Sequence, residues 1–229
     1  MYKRQDLRSV EYARQFNAVR LLGRETGSAR SDAQSESARF WAGNVGDNWN
    51  DIAREVIARR ADRGDALASW RSARAFALLN VAMADGFVSG WDAKYRYRAW
   101  RPVTAIPRAA LDGNPATMPD VQWTSLLPTP EHPEYPSTHS VLSAAAAAAL
   151  RCGLGSDAAG VDIASRSKYT SAPRHVASFS QAAQDIAMSR LYAGAHFPIA
   201  NTNGLRQGAR IGAYTCTHYL RPETGKGSR

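Results

Sequence analysis

The segment Pro136-Ser137-Thr138-His139 places a hydroxyl and an imidazole at the predicted start of a helix. Ser137 can cap this helix, which continues into a run of six alanines at residues 144–149. The first amides of a helix have no partner within the helix, and the helix dipole is positive at that end. The junction therefore predicts an oxyanion site, although a serine cap is by itself also an ordinary structural feature.

A second segment, residues 91–102, contains four cationic and four aromatic residues. Lys94, Arg98 and Arg101 are spaced by four and three residues, so they share one face if the segment is helical. Three like charges on one helical face are destabilising unless an anion lies among them. Pro102 ends this predicted helix beside Arg101. The segment thus indicates either an anion site or an ordinary solvated basic face.

The third segment, residues 189–198, contains Arg190 and His196. A separation of six residues does not align two side chains on one face of a helix. Both can reach a common point only if the helix ends or bends near Gly194. Considered without the other two segments, His196 would be interpreted as a structural histidine near a helix end.

The elements that must hold these segments together are predicted to be helices, because apolar residues recur at spacings of three and four. The predicted helices cover residues 7–22, 31–43 with a Ser31/Gln34 capping box, 50–64, 65–91 with Asp65 as cap, the alanine-rich helix after Ser137, 180–195 and 202–220. No segment shows the alternating pattern of a strand. Residues 103–135, which include six prolines, predict a long ordered loop anchored by Trp123, Leu126 and Leu127.

The fold predicted from these elements is an all-α, single-domain helical bundle covering residues 1–229. We expect the core to include apolar residues of the two longest predicted helices. In the helix that ends near Trp91 these are Leu67, Trp70, Ala73, Ala77, Leu78, Val81, Ala82 and Phe87, and in the last helix Leu205, Ile211, Ala213 and Tyr214. His175 is predicted to be a surface or capping residue.

Composition narrows the choice of partners. The chain has 229 residues, 44% of them apolar, and 29 basic against 20 acidic residues give a net charge of +9. This charge favours acidic partners, but it is diffuse, and without a nucleic-acid motif we expect no nucleic-acid binding. The sequence contains no apolar run of about 18 residues, so no membrane span is predicted, and residues 1–6 do not resemble a signal peptide.

The two cysteines, Cys152 and Cys216, are too few for a metal cage. A single disulfide between them is left open, and so is the cellular compartment.

Together, the three segments resemble the three-part signature of vanadium-dependent haloperoxidases and type 2 phosphatidic-acid phosphatases. The similarity is greatest to the bacterial haloperoxidase-like branch. It extends between the motifs through residues 75–79, 112–115 and 132–135, and covers about residues 35–220. The chain is short beside the larger members of this family, so we expect it to lack helices that usually precede Leu7.

The resemblance implies a chain that holds vanadate, at a site that phosphate can also occupy. It implies oxidation of a halide by hydrogen peroxide to a hypohalous species, with an organic acceptor and an oligomeric state that are left open. The residues to which it assigns oxyanion contacts are Lys94, Arg101 and Arg190 as cations, Ser137 through Oγ, and Thr138 through its amide. It further makes His196 the axial ligand of vanadium and His139 the group that transfers protons.

Three positions depart from the pattern or refine it. Thr138 stands where the family has glycine, and we expect its side chain to crowd the oxyanion or to change the backbone path. Ala200 stands where the phosphatases have aspartate, so we expect His196 to lack an orienting carboxylate. His132 occupies a position at which bromide-selective relatives carry histidine, and it is expected near the halide and peroxide together with Trp91.

Two other functions are compatible with the same residues. The first is an acid phosphatase, in which His196 is the nucleophile that forms a phosphohistidine and His139 protonates the leaving alcohol. The second is a helical domain that binds phosphate or a partner without turnover. The expected absence of a carboxylate near His196 favours the haloperoxidase over the phosphatase, because a nucleophilic histidine depends more on such a group.

Overall fold

In the computed structural model, which describes residues 5–64 and 69–221, the chain folds as a bundle of α-helices with one short β-hairpin. The elements are α1 Val10–Leu22, α2 Asp32–Phe40, α3 Val45–Asp62, α4 Ser69–Tyr97, α5 Pro102–Ala105, α6 Thr138–Leu154, β1 Ala158–Ile163, β2 Arg174–Ser178, α7 Phe179–Tyr192 and α8 Pro198–His218. A short 3-10 turn covers Ala109–Leu111. The predicted all-α helical-bundle class is therefore confirmed.

The centre of the bundle is the contact of α6 with α4, α7 and α8. Gly204, Gly208 and Gly212 recur every fourth residue along α8 and face α6. A Cβ atom on Gly208 would overlap the carbonyl oxygen of Val141, and one on Gly212 would lie 2.5 Å from the carbonyl oxygen of Ala145. The two backbones are therefore in direct contact, which places the start of α6 against the start of α8.

This close packing explains why part of the predicted core is wrong. Tyr214 is 54% exposed and Ala213 is also exposed, because glycines rather than large apolar residues form the buried face of α8. On α4, Trp70 is 63% exposed, and Val81 and Phe87 are exposed as well. Leu78 and Ala82 are buried as predicted. The buried residues of α4 are Ala75, Leu78, Leu79, Ala82, Met83, Gly86, Gly90, Ala93 and Lys94. Asp65 and Leu67 lie outside the described residues.

Some helix ends agree with the prediction and others differ from it. The capping box of Ser31 and Gln34 is confirmed at the start of α2. α3 begins at Val45, about five residues earlier than predicted, because Asn44 caps it by accepting from the amides of the next turn. α4 extends to Tyr97, past the end predicted near Trp91.

The β-hairpin was not predicted. β1 and β2 are antiparallel and bury Val161, Ile163 and Val176. Each strand is so short, with a register irregularity near Ala158, that it offers too few alternating positions for the pattern to be recognised. His175 projects from β2 with its Nδ1 2.8 Å from the carboxylate of Asp162, and its predicted place at the surface is confirmed.

Two further features hold the bundle around its centre. Trp123 and Leu127 are buried, as predicted for the long loop between α4 and α6, and this loop also contains α5. A disulfide between Cys152 and Cys216, left open by the sequence, joins the last turns of α6 and α8. None of the helices in residues 5–64 and 69–221 has the length and apolar character that a membrane span requires.

Candidate oxyanion site

The three sequence segments meet at one end of the bundle. Lys94 lies in the last turn of α4, and Arg101 is the N-cap residue of α5. Ser137 caps α6, Arg190 lies in the last turn of α7, and His196 comes two residues before α8. The structure therefore brings together the residues that were predicted to converge.

Arg101 links two of the candidate histidines. Its Nη1 atom lies 2.9 Å from Nε2 of His196 and donates to the carbonyl oxygen of Ala195. Its Nε donates to the carbonyl oxygen of His132, and its Nη2 lies 3.0 Å from Nδ1 of the same residue. Burial lowers the pKa of Arg101 to about 10, with the carboxylate of Glu134 acting in the opposite direction. The guanidinium is thus held rigidly and remains charged at neutral pH.

Lys94 has a different role in the structure from the one that spacing predicted. Its ammonium group is fully buried and donates to the carbonyl oxygens of Pro133, Glu134 and Pro136, at 2.7 to 3.1 Å. Burial, followed by the charge of Arg101, lowers the pKa of Lys94 to about 7. Lys94 thus fastens the loop that leads into α6. Its spacing showed that it lies near the site, but it could not show that loop carbonyls use its three donors.

The start of α6 presents polar groups as predicted. Ser137 caps the helix, and its Oγ lies 3.4 Å from the amide nitrogen and 3.0 Å from the hydroxyl of Ser140. Thr138 Oγ1 and His139 Nε2 are buried, and neither has a hydrogen-bond partner within the described residues. The side chain of Thr138 therefore adds a hydroxyl to the mouth of the helix.

Arg190 is brought to the site by the turn that follows α7. Its carbonyl oxygen accepts from the amides of Ala195 and His196, and Gly194 adopts the left-handed conformation with φ of 75°. The predicted bend near Gly194 is therefore confirmed. The Nε and Nη1 atoms of Arg190 are buried without a partner in the part of the chain that is described. Burial, and then the charge of Arg101, lowers the pKa of Arg190 to about 10, so it too stays cationic at neutral pH.

The three histidines near these cations are neutral at neutral pH. Burial, followed by the charges of Arg190, Arg101 and Lys94, holds the pKa of His139 well below its usual value. Burial, followed by the charges of Arg101, Lys94 and Arg190, also holds the pKa of His196 well below its usual value. The pKa of His132 falls to about 4 through burial and the charges of Lys94 and Arg101. The imidazoles therefore keep lone pairs available for a ligand or a proton.

Glu134 is a site residue that the sequence interpretation missed. Its side chain is buried, and Oε1 lies 3.1 Å from Nδ1 of His196 and accepts from the amide of Phe197 at 2.9 Å. The expectation that His196 lacks an orienting carboxylate is therefore wrong. Position 200 was the wrong place to look, because the carboxylate comes from the loop before α6. The sequence does show an acidic residue two positions before Pro136, but spacing alone does not indicate which side chain it contacts.

Trp91 and His132 form the aromatic edge of the site. Their ring centroids are 5.0 Å apart, and Phe87 stacks on Trp91 with a centroid distance of 5.2 Å. The indole Nε1 of Trp91 is buried, with no hydrogen-bond partner among residues 5–64 and 69–221. A donor and a neutral imidazole are thus placed beside Arg101.

Comparison with known proteins identifies the family. The model of the VCPO second helical-bundle domain matches residues 74–224, and the chain belongs to this family, within the vanadium haloperoxidase superfamily. No protein with a curated description matches the chain significantly.

Solved structures show the same fold. The crystal structure of the first bacterial vanadium-dependent iodoperoxidase is similar with a TM-score of 0.73 and 31% identity, over 95% of this chain and 51% of that chain. Apo-type and holo-type bacterial vanadium-dependent chloroperoxidase are similar in fold, with TM-scores of 0.73 and 0.67 at 19% and 20% identity. These cover 95% and 90% of this chain and 52% and 47% of those chains. The chain therefore spans about half the length of these relatives.

The residues at the site fit a bound oxyanion such as vanadate. The buried polar atoms without a described partner include Nε and Nη1 of Arg190, Oγ1 of Thr138, Nε2 of His139 and Nε1 of Trp91. Buried donors without partners are costly, and the forked guanidinium of arginine matches the oxygens of a tetrahedral anion. These groups can donate hydrogen bonds to the oxygens of an anion, and the imidazole of His196 can supply one nitrogen ligand to its central atom.

Proposed function

We propose that this chain supports the vanadate-dependent oxidation of a halide by hydrogen peroxide to a hypohalous species, with bromide preferred to chloride. The observation that carries the proposal is the convergence of Arg101, Arg190, the start of α6 and Nε2 of His196. Family membership and the fold of the vanadium peroxidases support it. The halide preference is supported by His132, which lies against Trp91 at the edge of the site.

The cations and the helix start would hold the anion. The guanidinium groups of Arg101 and Arg190 can each donate two parallel hydrogen bonds to oxyanion oxygens. Ser137 Oγ and the first amides of α6 add neutral donors on the positive side of the helix dipole. Lys94 would act indirectly, because it holds residues 133–136 in place through their carbonyl oxygens, and its charge adds to the attraction for an anion.

The two buried histidines would divide the remaining tasks. His196 is held so that Nε2 can serve as a nitrogen ligand, and bound vanadate would supply a V(V) centre that activates peroxide as a Lewis acid. His139 has its Nε2 buried near the same cations, and it would accept and return a proton. A bound anion offsets these cations, so it moves the pKa of His139 back towards neutral pH.

A phosphatase acting through the same groups is the second candidate, and Glu134 is the observation that favours it. A carboxylate on Nδ1 supports a nucleophilic histidine as well as a metal ligand. His196 would then attack phosphorus, and His139 would protonate the leaving alcohol. The presence of Glu134 removes the earlier reason for disfavouring this reaction.

The two candidates are separated by assaying one phosphate-free preparation in two forms. Protein loaded with orthovanadate should brominate a generic acceptor in the presence of peroxide and bromide, and added phosphate should suppress this activity. Iodide and chloride are run in parallel to rank the halides. His139→Ala should keep most vanadate binding and lose turnover, and His196→Ala should lose both, while His175→Ala, which changes an exposed histidine, should lose neither.

A different set of results would favour the phosphatase. Loaded protein that is inert with peroxide and every halide, together with vanadate-free protein that hydrolyses phosphomonoesters and traps phosphate on His196, would establish the phosphatase. Equal loss of vanadate affinity in His139→Ala and His196→Ala would show that the division between ligand and proton carrier is wrong.

A further inference from the structure

Glu134 contacts His196 on the side of the ring opposite to Arg101. Its Oε1 is 3.1 Å from Nδ1 of His196, while Nη1 of Arg101 is 2.9 Å from Nε2. We propose that Glu134 is a positioning residue that fixes His196 as the Nδ1–H tautomer, so that Nε2 presents its lone pair to the bound oxyanion. The proposal rests on the proposed function only for the identity of that oxyanion.

The hydrogen bonds on the two sides of the ring agree on one tautomer. A guanidinium can only donate, so Nε2 of His196 must be the acceptor in its contact with Arg101. A neutral imidazole with an unprotonated Nε2 carries its proton on Nδ1, where the nearest partner is the carboxylate of Glu134. The amide of Phe197 also donates to Oε1, which marks this oxygen as an acceptor. The proton between the two side chains therefore belongs to His196.

The carboxylate is held in place by its own loop. The carbonyl oxygen of Glu134 accepts from the buried ammonium group of Lys94, and its amide donates to the carbonyl oxygen of Ala99. Because the main chain is fixed on both sides and the side chain is buried, the carboxylate has little freedom to leave Nδ1. A rigid acceptor of this kind specifies both the tautomer and the orientation of the ring.

The carboxylate that contacts His196 comes from a different element than in the phosphatase pattern. At residue 200, where the phosphatase pattern has aspartate, the chain has a fully buried alanine whose carbonyl oxygen accepts from the amide of Ser137. That position ties α8 to the start of α6. The carboxylate for His196 comes instead from the loop that Lys94 fastens, so the cation at the end of α4 acts on the histidine through Glu134.

The tautomer can be measured without any bound anion. In vanadate-free and phosphate-free protein labelled with 15N-histidine, two-bond 1H–15N spectra should show His196 with a protonated Nδ1 and an unprotonated Nε2. The Glu134→Gln variant keeps the shape of the side chain but replaces a charged acceptor by a weaker neutral one, so the fraction of His196 in the Nδ1–H tautomer should fall in favour of the Nε2–H tautomer. Glu131→Gln, an exposed position three residues earlier, is the matched control and should leave the spectrum unchanged.

Binding provides the second readout. Glu134→Gln removes a negative charge, which raises the affinity for every anion, so the informative quantity is the ratio of vanadate to phosphate affinity. Loss of the correct tautomer should lower this ratio by about 10- to 100-fold, the range typical of groups that orient a metal ligand. Glu131→Gln should leave the ratio as in the wild type.

The outcomes separate this inference from the proposed function. Wild-type protein with His196 in the Nε2–H tautomer overturns the inference, and this result does not depend on how any variant folds. A Glu134→Gln variant with an unchanged tautomer and an unchanged affinity ratio overturns it as well. A tautomer shift in Glu134→Gln, combined with wild-type protein that binds phosphate but no vanadate, supports the positioning role and contradicts the peroxidase.

Discussion

Nη1 of Arg101 lies 2.9 Å from Nε2 of His196, so the candidate vanadium ligand is the acceptor of a hydrogen bond from a candidate anion donor. A ligand that binds at Nε2 must replace this contact, and the guanidinium then becomes free to donate to the oxygens of the same ligand. In the ligand-free protein Arg101 therefore occupies the lone pair of His196, and a move of Nη1 away from Nε2 would indicate that a ligand has bound there.

Replacing Arg190 should affect stability and anion binding in opposite directions. Arg190→Met removes a buried cation whose Nε and Nη1 lack a described partner, so the free energy of unfolding of the ligand-free protein should rise by about 1–3 kcal/mol. Affinity for vanadate and phosphate should fall by about 10- to 100-fold, since charged hydrogen bonds are lost. Denaturant unfolding and isothermal titration measure the two quantities.

Arg206→Met is the control for this experiment, because Arg206 is exposed on α8. It should change neither quantity appreciably. A loss of stability in ligand-free Arg190→Met with unchanged anion affinity would mean that Arg190 is a structural residue.

The hydroxyl of Thr138 should contribute to anion binding. Thr138→Val keeps the shape of the side chain and removes Oγ1, which is buried without a described partner, so vanadate affinity should fall by about 3- to 10-fold. Thr138→Ser retains a hydroxyl and should bind nearly as the wild type does. Tighter binding by Thr138→Gly, with Thr138→Val binding no more weakly than the wild type, would instead support the expectation that the threonine crowds the anion.

The stability of the anion-free protein should decrease below about pH 6.5. The pKa values of His139 and His196 are well below 6.5 in the folded chain, so the unfolded chain binds more protons in this window. Their contribution is fully present above pH 6.5 and is lost as the pH falls towards the folded values. The slope is at most about 1.4 kcal/mol per pH unit for each histidine.

Denaturant unfolding between pH 7.5 and 5 measures this slope. His139→Gln should reduce it, and saturating phosphate should reduce it as well, because a bound anion raises the pKa values of both rings. A wild-type protein whose free energy of unfolding stays constant or increases as the pH falls from 7.5 to 5 would show that the rings are not buried next to the cations.

The residues of the site could be predicted from the spacing of the three motifs, but the contacts that depend on the loop before α6 could not. The spacings of Arg101, Ser137, Arg190 and His196 identified the residues that meet, because the resemblance covers all three segments. The donors of Lys94 and the contact of Glu134 with His196 could not be predicted, since both depend on the path of the loop at 132–136. No local pattern in the sequence encodes that path.

The fold shows the same limit. Helices with clear caps, such as α2 and the helix that Ser137 begins, were placed correctly by local signals. The buried faces of α4 and α8 were partly wrong because periodicity was sought in large apolar residues. Gly204, Gly208 and Gly212 lie on the buried face of α8 together with small and polar residues, which contribute little to an apolar pattern.

The contact between α6 and α8 gives a separate prediction about stability. Gly208→Ala would place a methyl group onto the carbonyl oxygen of Val141, so it should destabilise the protein by about 3 kcal/mol or more. Gly86→Ala, on the other side of Val141, meets Cγ1 at 3.4 Å and should be neutral or stabilising by up to about 1 kcal/mol. Thermal unfolding of both variants checks this, and equal effects would contradict the close approach of the two helices.

Binding of vanadate at His196 can be measured through the anomalous X-ray signal of vanadium in crystals soaked in orthovanadate without phosphate. The predicted result is one vanadium atom within bonding distance of Nε2 of His196. Its oxygens should lie within hydrogen-bond distance of the Arg190 guanidinium, and Nη1 of Arg101 should have moved from Nε2 to one of them. A crystal in which vanadium is absent or bound elsewhere, while Arg101 still contacts Nε2 of His196, would contradict the account.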